Sequence, residues 1–272
     1  MSNTLYIDGK WTSPVEGHTW NVNSPADGHL VATVAEATNA DVALAISAAR
    51  RAFDSGEFSN WGFAKRSELV AKIADLMERD LKILAKLESD DTGKRLIEAE
   101  YDISDVIACF RHFAKLGRAQ HERKVEIAQS NIDSRVVYEP VGVCTLIGPW
   151  NYPLLQVSWK VAPALVAGCT FIVKPAELTP STAIHLFKLI DEAGVPAGVA
   201  NLILGKGSAI GDALTSDPRV DLVSFTGSLA IGQRIMSLAS KTIKKVALEL
   251  GGKNPNIIFA DADLDAAIDN AV

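Results

Sequence analysis

From Val141 onward the chain alternates short apolar runs with stretches of helical period, and this alternation restricts its possible folds more than any other feature. VGVCTLIG (141–148), CTFIVK (169–174), VANLILG (199–205), VDLVSFTG (220–227) and KKVALEL (244–250) read as strands. Between them, Leu155 to Ala167, 181–194, 208–216 and 229–240 carry helical periodicity. Near-continuous apolar strands are those buried on both faces, and the intervening helices supply the cover. The expectation is an α/β fold: an open parallel sheet with helices on both faces.

The first half of the chain reads differently. Residues 4–36 are β and turn in character, with a hairpin signal at Asp8-Gly9 and a tight turn over Asn23 to Gly28. Three helices follow. The first begins near Asn39 with Val42, Ile46 and Ala49 on one face. The second runs from Arg66 to Leu87 with Leu69, Ile73, Leu76 and Met77 inward, and the third spans 97–117. Residues 122–140 are polar and alternating, and suggest a hairpin that either pairs with another copy through an exposed edge or is covered by its own domain. After the second apolar run, Ile257 to Phe259, FADADLDAAIDNAV (259–272) starts a new strand–helix unit, as expected of part of a longer protein.

Composition narrows the function classes. With 272 residues, 48% hydrophobic, the chain can bury one large or two modest cores. A net charge of -6, with KTIKK (241–245) as the densest basic stretch, argues against a nucleic-acid surface. The longest apolar run, Val161 to Val173, is too short to span a bilayer and contains Pro163 and Gly168. The start has no apolar leader segment. Cys109, Cys144 and Cys169 lie far apart along the sequence in apolar surroundings, with neither disulfide nor metal spacing. The expectation is a cytoplasmic protein without a metal, its three thiols buried as small hydrophobes.

Four stretches at strand ends carry chemistry, because ligands of open α/β sheets lie beyond the carboxyl ends of the strands. In Gly148 to Pro153 two prolines brace Asn151, whose carboxamide could donate to an oxyanion or cap the next helix. Lys174 and Glu177, three apart, could hold ribose hydroxyls, the acid repelling a 2′-phosphate, or form an exposed ion pair. Gly205 to Gly211, including Gly207, approaches a G-x-G-x-x-G phosphate loop with its last glycine one residue late. Phe225, Thr226, Gly227 and Ser228 end a strand and open a helix, where free N–H groups could receive a pyrophosphate, or Ser228 could serve as a plain cap.

A fifth stretch, VALELGGKNPNII (246–258), places Glu249 at the end of what reads as a buried strand, just before Gly251 and Gly252. A buried carboxylate is neutralised, paired or used. Glu249 is therefore either a general base on an active-site floor or a strand-end acid paired to a basic neighbour.

PWNYP (149–153), KPAE (174–177), FTGS (225–228) and ELGGKNP (249–255), in this order and at these separations, together resemble the NAD(P)-dependent aldehyde dehydrogenase superfamily over essentially the whole chain. WNYPLLQVSWK and ALELGGKNPNIIF look most like its betaine-aldehyde branch. The resemblance implies a Rossmann-like NAD-binding domain from 1–121 and 141–251, an oligomerisation hairpin at 122–140, and the start of a catalytic domain at 252–272. It implies NAD as cofactor, a small aldehyde as substrate, and a homodimer or homotetramer. By likeness, Asn151 matches the oxyanion-hole asparagine, Glu249 the general base and Lys160 a proton-relay lysine. Lys174 and Glu177 match the adenosine-ribose pair, and Phe225, Gly227, Ser228 and Gly232 the turn that receives the cofactor. Trp150, Gly207, Leu250 and Gly251 match other cofactor-cleft positions, and Tyr152 and Trp159 match aromatics of the aldehyde tunnel. In such a mechanism a cysteine thiolate attacks the aldehyde, hydride leaves, and water hydrolyses the resulting thioester. The matching cysteine would fall beyond Val272, so the resemblance implies that this chain alone is inactive. A non-catalytic NAD-binding module and a semialdehyde or aminoaldehyde dehydrogenase are the alternatives.

Overall fold

The computed structural model describes residues 4–120, 122–127 and 131–271. At its centre are two all-buried strands, β7 (Val143–Ile147) and β8 (Thr170–Lys174), whose β-branched and aromatic side chains fill both faces of the sheet. They pair in parallel with each other. Outward on one side β8 pairs in parallel with β9 (Ala200–Leu202). On the other side β7 pairs with β10 (Leu222–Gly227), which pairs in parallel with β11 (Lys245–Leu250) at the edge.

The five-stranded parallel sheet of the sequence reading is therefore present, with an addition. β1 (Leu5–Ile7) runs antiparallel against β9, and β2 (Lys10–Thr12) against β1, so the sheet has seven strands in the order β11-β10-β7-β8-β9-β1-β2. The Asp8-Gly9 hairpin signal holds: both residues have positive φ, 55° and 73°, as a tight two-residue hairpin turn requires. A separate hairpin joins β3 (Thr19–Asn23) to β4 (Leu30–Ala35) through the turn expected at 23–28.

Helices cover both faces. α1 (Asn39–Asp54), α7 (Gly207–Ser216) and α8 (Leu229–Ala239) pack in series on one side. α5 (Pro153–Ala167) and α6 (Ser181–Ala193) pack on the other, under an outer layer of α2 (Phe63–Arg79), α3 (Leu81–Thr92) and α4 (Leu96–Arg118). Pro153 opens α5 in the first turn, where its missing N–H costs nothing, and Gly168 and Gly194 end α5 and α6 in left-handed conformation.

Three expectations about elements are corrected. The single helix over Arg66 to Leu87 is two helices, broken at Asp80 (φ -99°, ψ 15°), whose carboxylate is held by Arg79 and by His185 Nε2 at 2.8 Å. No strand forms over Ile257 to Phe259; these side chains are exposed and have no sheet neighbour, although the helix expected next is present as α9 (Leu264–Ala271). Of the three thiols expected to be buried, Cys144 and Cys169 are, while Cys109 is only half-buried. The hairpin in 122–140 is present as β5 (Arg123–Lys124) and β6 (Arg135–Val136); part of its loop lies outside the described residues. No helix among the described residues is long and apolar enough to cross a membrane, and no group of acidic, His and Cys side chains among them could hold a metal ion.

Candidate active-site cleft

The parallel strands all point their carboxyl ends at one side of the molecule, where a cleft of about 1000 Å³ opens. Its wall is built strand by strand. β7 delivers Gly148, Pro149, Trp150 and Asn151, and β8 delivers Lys174 and, just past it, Glu177. The α7 N-terminus delivers Gly207 and Ser208, β10 delivers Phe225, Thr226, Gly227 and Ser228, and β11 delivers Glu249, Leu250 and Gly251. Residues separated by 100 positions in sequence are thus neighbours because successive βα units place successive strand ends side by side.

Asn151 is exposed and does not cap the following helix: the N-cap of α5 is Tyr152, and no side chain makes the cap hydrogen bond. Its carboxamide carries no hydrogen bond among the described residues, and its backbone carbonyl accepts one from Lys94 Nζ at 3.3 Å. Trp150, 60% exposed, lies along the cleft rim.

Lys174 is buried, donates to the Pro175 carbonyl at 2.9 Å and meets Glu177 Oε2 at 3.5 Å. Burial lowers its pKa, because a charged ammonium loses water there, while Glu177 opposes the shift. The pair is therefore neither a wholly exposed surface bridge nor a closed one. Glu177 remains about two-fifths exposed and faces the cleft. Gly207 lines the same end of the cleft, and a Cβ there would meet the Lys174 ammonium at ordinary contact distance, 3.9 Å.

Ser228 is the N-cap of α8, its Oγ accepting the Ile231 N–H at 3.4 Å. The remaining free N–H groups of the first turn point toward the cleft end of β10, where an anion is favoured. Gly232 is buried in that helix and does not line the cleft; a Cβ there would press on the Leu250 side chain at 2.8 Å.

Glu249 lies in the cleft, but the expectation that it ends a buried strand is corrected. Among the described residues β11 pairs only with β10 and forms the edge of the sheet, so Glu249 is exposed. Its sheet partner in register is Thr226. Lys160, buried under the cleft floor, donates to Thr226 Oγ1 at 2.8 Å, and Thr226 donates to Gln156 Oε1 at 3.2 Å. Burial pulls the Lys160 ammonium down to about 8, with the Glu249 charge acting in the other direction. A lysine in that range can exchange a proton near neutral pH. Thr226 and Gln156 carry no role in the sequence reading. The signal was present: Thr226 lies inside FTGS, and Gln156 and Lys160, four apart, share one face of α5.

Tyr152 and Trp159 are about half exposed, two turns apart on α5, and neither lines the cleft. One face of the Tyr152 ring is taken by Lys94, whose Nζ sits 4.7 Å from the ring centroid. None of Cys109, Cys144 and Cys169 lines the cleft.

The arrangement has known counterparts. Residues 11–272 match the model of the aldehyde dehydrogenase family. The chain is 50% identical over its whole length to the betaine aldehyde dehydrogenase of Bacillus subtilis (strain 168), covering 56% of that protein. It is 43% identical over 98% of its length to the peroxisomal aminoaldehyde dehydrogenase 1 of Malus domestica, covering 54% of it. The crystal structure of the Staphylococcus aureus betaine aldehyde dehydrogenase in complex with NAD+ superposes on the whole chain with a TM-score of 0.97 at 46% identity, the chain covering 54% of that structure. The chain therefore spans about half the length of the relatives it matches. Strand order, strand-end cleft and whole-chain likeness agree: the chain belongs to the aldehyde dehydrogenase family.

Proposed function

We propose that this chain supplies the cofactor cleft, the oxyanion donor and the general base for NAD-dependent oxidation of an aldehyde, with betaine aldehyde as the leading substrate, to its carboxylic acid. The observation that carries this reading is the convergence of Asn151, Glu249, the Lys174–Glu177 pair and the N-terminus of α8 on one cleft. The same residues fit NAD: a capped helix N-terminus for the pyrophosphate, and an acid and a lysine for a ribose. NAD, when bound, accepts the hydride released from the aldehyde carbon.

The chain's own residues do the rest. The Asn151 carboxamide, without a hydrogen bond among the described residues, donates to the oxygen that becomes negative when the carbonyl is attacked. Glu249, at the open strand edge, takes the proton of the hydrolytic water. Lys160 and Thr226 lie behind it as a route for that proton. The thiol nucleophile comes from outside residues 1–272, since no cysteine of this chain lines the cleft; alone, the chain binds NAD without turnover. Residues 1–121 and 141–251 form the NAD-binding domain, 252–272 begin the catalytic one, and the exposed hairpin at 122–140 joins copies into a cytoplasmic homodimer or homotetramer.

The test has two arms. NAD titrated into this chain should quench the fluorescence of Trp150, which lies on the cleft rim. The full-length gene product should reduce NAD faster with betaine aldehyde than with aminoaldehydes, succinate semialdehyde or simple aliphatic aldehydes. Binding without turnover by the full-length product would leave a non-catalytic NAD module. Preference for another aldehyde would move the substrate to that class.

A further inference from the structure

We propose that Lys94 is a positioning residue for Asn151, fixing the loop that presents the oxyanion donor by tying its backbone to two acids, Glu88 on α3 and Asp102 on α4. The inference rests on the role proposed for Asn151. Its geometry does not.

Lys94 follows Gly93, whose left-handed conformation ends α3 and turns the chain into α4. Its backbone is pinned on both sides: the carbonyl accepts Ser89 Oγ at 2.8 Å, and the N–H donates to Thr92 Oγ1 at 3.3 Å. Its side chain, 14% exposed, reaches four groups. Nζ hydrogen-bonds Asp102 on α4, lies 3.7 Å from Glu88 Oε1 on α3, donates to the Asn151 carbonyl at 3.3 Å and caps the ring of Tyr152 at 4.7 Å. Glu88 is fully buried; its Oε2 accepts Thr182 Oγ1 at 3.0 Å, and its Oε1 has no hydrogen bond among the described residues. An unsatisfied buried carboxylate oxygen is costly, and the Lys94 ammonium is the cation beside it. Lys94 is thus held in place from within the helical layer, independently of the loop it touches.

The loop depends more on Lys94 than Lys94 on the loop. Pro149 and Pro153 cannot donate backbone hydrogen bonds. The Asn151 carbonyl accepts, among the described residues, only from Lys94. Orienting that peptide carbonyl orients the Cα–Cβ bond of Asn151, and so the direction of the carboxamide. A donor displaced by a fraction of an ångström loses much of its effect on a developing oxyanion.

Backbone order parameters of the Trp150 to Tyr152 amides, read by NMR relaxation, test the anchor without reference to catalysis. Lys94→Met should lower them from about 0.85 to below about 0.6 while β8 and β9 amides keep theirs, and Lys94→Arg, which keeps the cation, should leave the loop rigid. Should Lys94→Met not fold, the double variant Lys94→Met, Glu88→Gln removes the charges of Lys94 and Glu88 together and is read the same way. Unchanged order parameters in the loop, or lower ones throughout the chain, overturn the proposal. In the full-length gene product, Lys94→Met should lower kcat about tenfold and leave the KM for NAD within about twofold, with Lys94→Arg restoring kcat. A more mobile loop with unchanged kcat would overturn the functional half. Full turnover by Asn151→Ala would instead remove the role given to Asn151, leaving the relaxation result to stand or fall by itself.

Discussion

Glu177 serves the cleft with both ends of one residue. Its backbone carbonyl accepts the Trp20 indole N–H at 3.1 Å, which fixes the turn after β8, while its carboxylate leans on Lys174 and stays open to the cleft. In the role proposed for it, Glu177 repels the 2′-phosphate of NADP, so Glu177→Gln should narrow the preference for NAD over NADP by roughly tenfold, about 1.4 kcal/mol, in binding titrations. An unchanged NAD/NADP ratio would reject the assignment. Lys174, Glu177, Asn151 and Glu249 were visible in the sequence because each stands in a short motif at a strand end. Lys94 was not. It reaches Asn151 across 57 positions, and nothing in its own neighbourhood says which loop it will meet. The exposure of Glu249 was likewise hidden, since an apolar run does not reveal whether its strand is central or at an edge.

The α3–α6 seam shows how one element's placement sets a pH response. Glu88 and Asp91, on α3, face Thr182 and Ser181 at the start of α6; Ser181 gives Asp91 its N–H at 2.7 Å and its hydroxyl at 2.8 Å. Burial pushes Glu88 up to about 7 and Asp91 up to about 6. A carboxyl that holds its proton more tightly in the folded state stabilises most at low pH, and that contribution is lost as pH rises from the ordinary value of 4.5 through about 7. For Glu88 the full loss is about 3 kcal/mol at most. Glu88→Gln should therefore gain stability relative to the parent as pH goes from 5 to 7.5, read from urea unfolding midpoints. A difference that stays flat over that range would show that Glu88 does not titrate there. At this scale the βα alternation was fully legible, because continuous apolar runs and helical periods report burial directly. The break at Asp80 was not. Periodicity passes smoothly through a single residue whose carboxylate meets His185, a contact made only once α6 is in place.

On the whole molecule, the two edges of the sheet differ. The β9 edge is closed by the β1–β2 hairpin, whereas β11 is unpaired outward and is followed by a run of uncovered apolar side chains. In that run Phe259 is 72% exposed and Ile257 70%; Ile243, just before β11, is 91% exposed. An open edge beside exposed apolar groups favours association. This chain should self-associate at micromolar concentration in sedimentation experiments, and Ile257→Ser with Phe259→Ser should shift it toward monomer. A chain that stays monomeric in both forms would mean that this surface is not adhesive.

The closed edge has a consequence for how the molecule is made. β1 cannot dock until β9 exists, since Tyr6 pairs with Leu202 and Tyr6 Oη donates to Asp191, 185 positions away. At roughly 5–20 residues per second of synthesis, the first strand waits on the order of ten to forty seconds for its partner. Over that interval Leu5, Tyr6 and Ile7, all buried in the finished fold, travel uncovered. A pairing across so long a loop closes later than one between neighbours in sequence, so after dilution from denaturant the β1–β9 edge should protect its amides after β7 and β8 do.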